Sequence, residues 1–160
     1  MVRLAMVSAA VSATLLASGC GSSDVAATFD GHTVTESDVA AAVEQINEAY
    51  KPTQPYTAQA ALSALVRAPY LLEHAEKAGY PQTASAARAA LPIHDPAAST
   101  IRIVQSTAVI DHLTEADRVA LTKVFNDLEV DVNPKYGAYD ATQATIGSAT
   151  PDWLEYSADN

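Results

Sequence analysis

Thr28-Phe29-Asp30-Gly31-His32-Thr33-Val34-Thr35-Glu36-Ser37-Asp38-Val39 is the stretch on which the fold turns. Asp30-Gly31 is a dipeptide whose two residues both accept positive φ, and it is flanked by Val25-Ala26-Ala27-Thr28-Phe29 and His32-Thr33-Val34, so a tight β-hairpin is expected. Thr35 then offers a capping hydroxyl with an acid, Asp38, three residues on. Val39, Val43, Ile46 and Tyr50 follow at i, i+4, i+7 and i+11, which predicts a helix over 36–50.

Working outward, Pro52 and Pro55 end that helix. A second stripe, Ala61, Leu65, Ala68, Leu72 and Ala75, runs to Gly79, with Pro69 expected to bend or split it. Residues 83–90 read as a small Ala-rich helix. Over 97–113, apolar residues at 101, 104, 108 and 110, with more at 103 and 109, describe a helix buried over much of its girth and expected at the centre. Thr114-Glu115-Ala116-Asp117 is a second cap, opening a helix whose expected apolar face is Ala116, Ala120, Val124 and Leu128 with Leu121 and Phe125. Val130-Asp131-Val132 alternates as a strand before Asn133-Pro134, and the tail from Lys135 reads as irregular or β. The fold class is mainly α: a helical domain with a short β-hairpin, closed by pairing of the C-terminal strand, since neither strand edge satisfies its own backbone groups.

At 160 residues, 49% hydrophobic and 18% charged, the chain has room for one domain and is too apolar for intrinsic disorder. Nine Lys and Arg against 19 Asp and Glu leave a net charge of -10, which argues against nucleic acid as a partner. One cysteine excludes an internal disulfide and any Cys-based metal cage.

That cysteine belongs to an address. Met1-Val2-Arg3 is a positive start, residues 4–17 are uncharged and mostly Ala, Val and Leu, and Ala17-Ser18-Gly19-Cys20 is a small-residue cut site. The apolar run is shorter than the ~20 residues a spanning helix needs. The stretch before Cys20 resembles the lipobox of bacterial lipoproteins, with Ala17 where that family more often has Leu. The resemblance implies a signal peptide over 1–19, cleavage between Gly19 and Cys20, and lipidation of Cys20. Multiple acyl chains, at about 0.8 kcal/mol per buried methylene, anchor stably where one does not. Residues 20–27 are then a lipidated tether, flexible across Gly21-Ser22-Ser23-Asp24, and 28–160 the domain, held at the extracytoplasmic face of the cell membrane. No ATP is supplied there, and no glycine-rich phosphate loop is present.

The opening stretch, residues 28–39, resembles the segment that starts the helical chaperone domain of SurA- and PrsA-like extracytoplasmic foldases. Val130-Asp131-Val132-Asn133-Pro134-Lys135-Tyr136-Gly137, with Pro151-Asp152-Trp153-Leu154 beyond, is similar to the ending of actinobacterial lipoproteins with SurA N-terminal-like domains. Helices fill the chain between and leave no room for a parvulin domain. The resemblance therefore implies a client-holding module without prolyl isomerase activity and carries over no catalytic residue.

Four histidines, His32, His74, His94 and His112, fall in different elements with no i, i+4 pair, so a zinc helix is not expected. Asp111-His112 and His94-Asp95 pair a base with an acid but lack a nucleophile elbow. Asp127, Glu129, Asp131 and Asn133 match the first places of a calcium loop, yet Val132 stands where Gly is needed and Ala138 where Glu is needed, leaving a solvated strand face. Tyr136, Tyr139, Trp153 and Tyr156 either anchor the tail on the helices or line a binding patch. The expectation is a non-enzymatic lipoprotein without cofactor or metal, whose partners are unfolded or exported polypeptide clients. The alternative is a structural or accessory envelope lipoprotein docking a folded partner protein.

Overall fold

The computed structural model describes residues 24–148. Two strands open the fold, β1 (Val25–Phe29) and β2 (His32–Thr35), joined at Asp30 and Gly31, whose φ angles of 43° and 74° give the turn the sequence called for. Because β1 begins at Val25 with Ala26 and Ala27 buried, the folded body starts three residues ahead of the expected boundary at 28. The proposed leader over 1–19, Gly19 and Cys20 lie outside the described residues.

Thr35 caps α1 (Glu36–Tyr50) with a reciprocal box: its hydroxyl accepts from the Asp38 amide at 3.1 Å, and its own amide donates to Asp38 Oδ2 at 3.0 Å. Next comes α2 (Ala58–Lys77), a single helix through Pro69 rather than a split one. Buried side chains on both sides of the proline, Leu65 and Ala68 before it and Leu71 and Ala75 after it, keep the helix continuous against a penalty of about 3 kcal/mol. Its buried surface is broader than the expected stripe, taking in Leu62, Val66 and Leu71 while Leu72 is only half-buried. The reason is its position: α2 packs against α1, the opening hairpin, two of the later helices and the segment that follows the last helix.

The short α3 (Ala84–Ala89), capped by Thr83, precedes α4 (Ala98–Ile110). The expectation that α4 sits at the centre is corrected, since it packs on α1, α2 and α3 whereas α2 reaches six elements. Val104 and Ala108 of its stripe stay half-exposed, and Ser99, Thr100, Ile103, Ser106 and Val109 point inward with Ile101. No side chain of its own caps α4. Gln45 of α1 does so instead, its Oε1 accepting from the Ala97 amide at 2.8 Å and from Thr100 Oγ1 at 2.7 Å.

Thr114 and Asp117 form the second capping box and open α5 (Glu115–Asn126). Only Leu121 and Phe125 of this helix are buried, with Leu128 just past its end. The expected contributions of Ala116, Ala120 and Val124 are corrected: these face solvent, because one element, α2, is all that α5 substantially packs against. After α5, β3 (Asp131–Val132) pairs antiparallel with β1, giving the sheet order β2-β1-β3 and joining the segment after the last helix to the opening strand. Asn133 locks the join by donating its amide to Ala26 O at 2.9 Å and its side chain to Val25 O at 3.2 Å. A 3-10 turn (Pro134–Tyr136) then leads into a second hairpin, β4 (Ala138–Asp140) and β5 (Thr145–Gly147). This hairpin lies on α2, where Ser63 Oγ accepts from the Ile146 amide at 2.7 Å and Gln59 Nε2 donates to Tyr136 O at 2.9 Å.

Tyr70 joins the two halves of the core. Its ring lies 6.3 Å from Phe29 and edge-on to Phe125 at 6.0 Å, and its hydroxyl donates to Asp30 Oδ2 at 2.6 Å. Burial first, then the Asp30 carboxylate, push this phenol well above the usual tyrosine range. Among the described residues no helix is long and apolar enough to cross a membrane.

Candidate functional site

Three places gather residues with chemical or binding potential. The broadest is the outer face of α4. Ile46 and Tyr50 of α1, Tyr56 from the loop before α2, and Ile103, Val104 and Ala108 of α4 wall an apolar depression of about 370 Å³. On its other flank, α4 meets α3 in a second depression of about 120 Å³, floored by Ala86, Ala87 and Ala90. Val104 and Ala108 line both, so the two share an apolar wall and form one strip across the helix, with Gln82, Thr83, Gln105, Thr107 and Asp111 as its polar margin. The strip exists because α4 turns Ile103 and Val109 inward, which leaves Val104 and Ala108 only half-buried. Tyr50, 51% exposed, forms its rim. Asn47 holds the Tyr56 side of the wall in place, its Oδ1 accepting from the Tyr56 amide at 2.7 Å and its Nδ2 donating to the Tyr56 carbonyl at 3.0 Å.

A second groove, about 250 Å³, lies where α2, α5, the end of α4 and the turn between β4 and β5 meet. Leu71, Ile110, Leu113, Leu121 and Phe125 supply its apolar wall, and Arg67 and Arg118 its charge. Sequence reasoning passed over both arginines; the one signal was Arg67 standing inside the otherwise apolar run Leu62-Ser63-Ala64-Leu65-Val66 and Ala68.

The third is a small polar cluster. His74 Nε2 lies 3.2 Å from Asp117 Oδ1 without hydrogen-bond alignment, and the Tyr80 ring stands between His74 at 6.4 Å and His112 at 5.6 Å. The Thr114 hydroxyl and amide are the main reason the Asp117 carboxyl is held below the usual carboxylate range, with His74 adding less. Two histidines that share no sequence spacing are thus brought near one tyrosine. Both His74 Nε2 and the Tyr80 hydroxyl are buried without a hydrogen-bond partner among the described residues.

The remaining sequence candidates are dispersed. His32 is exposed beside Phe29, with ring centroids 5.3 Å apart. His94 and Asp95 are exposed in the loop between α3 and α4, while Asp111 ends α4 at the edge of the apolar strip. Asp127, Glu129 and Asp131 are exposed, and Asn133 spends its side chain on Val25 and Glu36. Among the described residues no three His, Cys, Asp or Glu side chains converge as a metal site. Tyr136 is buried in the main core, and the Tyr139 hydroxyl donates to Phe125 O at 3.0 Å, so both anchor the second hairpin. Trp153, Tyr156 and the 151–154 segment lie outside the described residues. Compared with protein-family models, with curated proteins and with solved structures, the chain finds no match.

Proposed function

We propose that this chain is a lipid-anchored, extracytoplasmic module that binds unfolded or exported polypeptide in extended form, without ATP, catalysis or prolyl isomerase activity. The observation that carries the reading is the pair of apolar depressions meeting at Val104 and Ala108. Side chains on one face of an extended peptide recur about every 6–7 Å, so adjoining apolar hollows of unequal size accept alternate residues of many sequences. The resemblance of residues 28–39 to the opening of SurA- and PrsA-like chaperone domains supports the same reading, as does the lipobox-like sequence before Cys20.

The full chain should keep several unrelated denatured proteins from aggregating at near-stoichiometric ratio. Ala108→Glu, which places a charge in the shared wall, should lose most of that protection while its urea midpoint stays close to that of the parent. Absence of protection by the parent chain, together with co-purification of one folded envelope protein, would replace this reading with that of an accessory lipoprotein. Mass spectrometry of the membrane-bound form tests the anchor separately, and an unmodified Cys20 thiol removes it.

A further inference from the structure

The groove between α2, α5 and the second hairpin has an electrostatic character opposite to that of the chain. Acidic residues outnumber Lys and Arg by 19 to 9, so a chance depression meets carboxylates more often than cations. This one has two guanidinium groups and no Asp or Glu in its wall. The cations that do have partners are elsewhere: Lys77 with Glu73, and Lys135 with Glu36. Among the described residues neither Arg67 nor Arg118 has a carboxylate at ion-pair distance.

Both arginines are held by backbone instead. Arg67 Nε donates to Ser63 O at 3.2 Å, which uses one of its five N–H groups and leaves the terminal nitrogens free. Its charge is felt by the phenols of Tyr56 and Tyr139, where it opposes the upward push of burial. Arg118 reaches Ile110 O only at 3.4 Å, a weak contact. Below them lie Leu71, Leu121 and Phe125, an apolar floor to which a bare inorganic anion has nothing to offer.

We propose that this groove binds a free medium-chain fatty acid, its carboxylate at Arg67 and Arg118 and its alkyl chain along the leucine and phenylalanine floor. A guanidinium pairs with a carboxylate through two parallel hydrogen bonds, and the floor excludes water from the pair's underside, which is what makes such a contact count. At about 250 Å³ the groove sits just under the usual ligand range, and a chain on the order of eight carbons suits it.

Octanoate titrated into the full chain at low ionic strength, followed by NMR shifts and by calorimetry, is the test. Saturable binding is expected, with Arg118→Gln and Arg67→Gln each weakening it about tenfold. Arg118 is exposed, so its variant tests the site even if Arg67→Gln disturbs the hairpin. Octanol binding as well as octanoate would overturn the role of the arginines. Inorganic phosphate binding as well would reduce the groove to a general anion patch, and a peptide ending in leucine that outcompetes octanoate, while its C-terminal amide does not, would reassign the occupant to a polypeptide terminus.

Discussion

Helices α1 and α5 begin with the same local instructions and meet different fates. Each starts Thr-Glu-x-Asp, and each forms the reciprocal box, with the amide of the threonine 3.0 Å from Asp38 Oδ2 in one and 2.9 Å from Asp117 Oδ2 in the other. Yet α1 buries Val39, Ala42 and Ile46 among the sheet, α2 and α4, while α5 buries Leu121 and Phe125 against little besides α2. Capping decides where a helix starts; the number of neighbours decides what it is worth. A 12-residue helix is marginal in water by itself, so α5 depends on two side chains, its cap and the Tyr139 bond to Phe125 O.

The largest contrast should come from one valine in each helix. Val39 is 1% exposed, and Val39→Ala removes two methyl-sized groups from a site that cannot collapse, at a cost of about 2 kcal/mol read from the urea midpoint. A loss well under 1 kcal/mol would show that α1 is no better embedded than α5.

A smaller effect distinguishes the two caps. Thr35→Ala and Thr114→Ala should each cost about 1 kcal/mol, but in different places. The first should lower the global midpoint, because Glu36 and Asn133 fasten that end of α1 to the closing strand. The second should appear mainly as faster amide exchange in the first turns of α5. Acid should loosen the same end. Asp117 is held below its ordinary range in the fold, so its contribution is complete above about pH 4 and disappears as pH falls through the depressed folded value. Amide protection factors in α5, corrected for the intrinsic pH dependence of exchange, that stay unchanged from pH 6 to pH 3 would count against this.

The least effect is expected at Val119, 57% exposed on α5. Val119→Ala should move the midpoint by no more than about 0.5 kcal/mol, since lost contacts are few and alanine is the better helix former. A large loss would mean that the outer face of α5 is covered, and would erase the difference between the helices.

The sequence by itself determined the first turn and two of the helix starts: Asp30-Gly31, Thr35 with Asp38, and Thr114 with Asp117 all act within four residues. It determined too that the closing strand must find a partner, because an isolated strand leaves its amides unpaired. Which apolar face each helix would bury was decided only by the tertiary structure. Several faces of α4 and α5 are apolar enough, and their competition is settled by what stands opposite, information that no window of either helix contains. For the same reason Gln45 capping α4 from another helix, His74 beside Asp117, and the placing of Arg67 and Arg118 on the wall of one groove have no local trace. Hydrogen bonds between near neighbours are written along the chain; burial depends on distant segments arriving together.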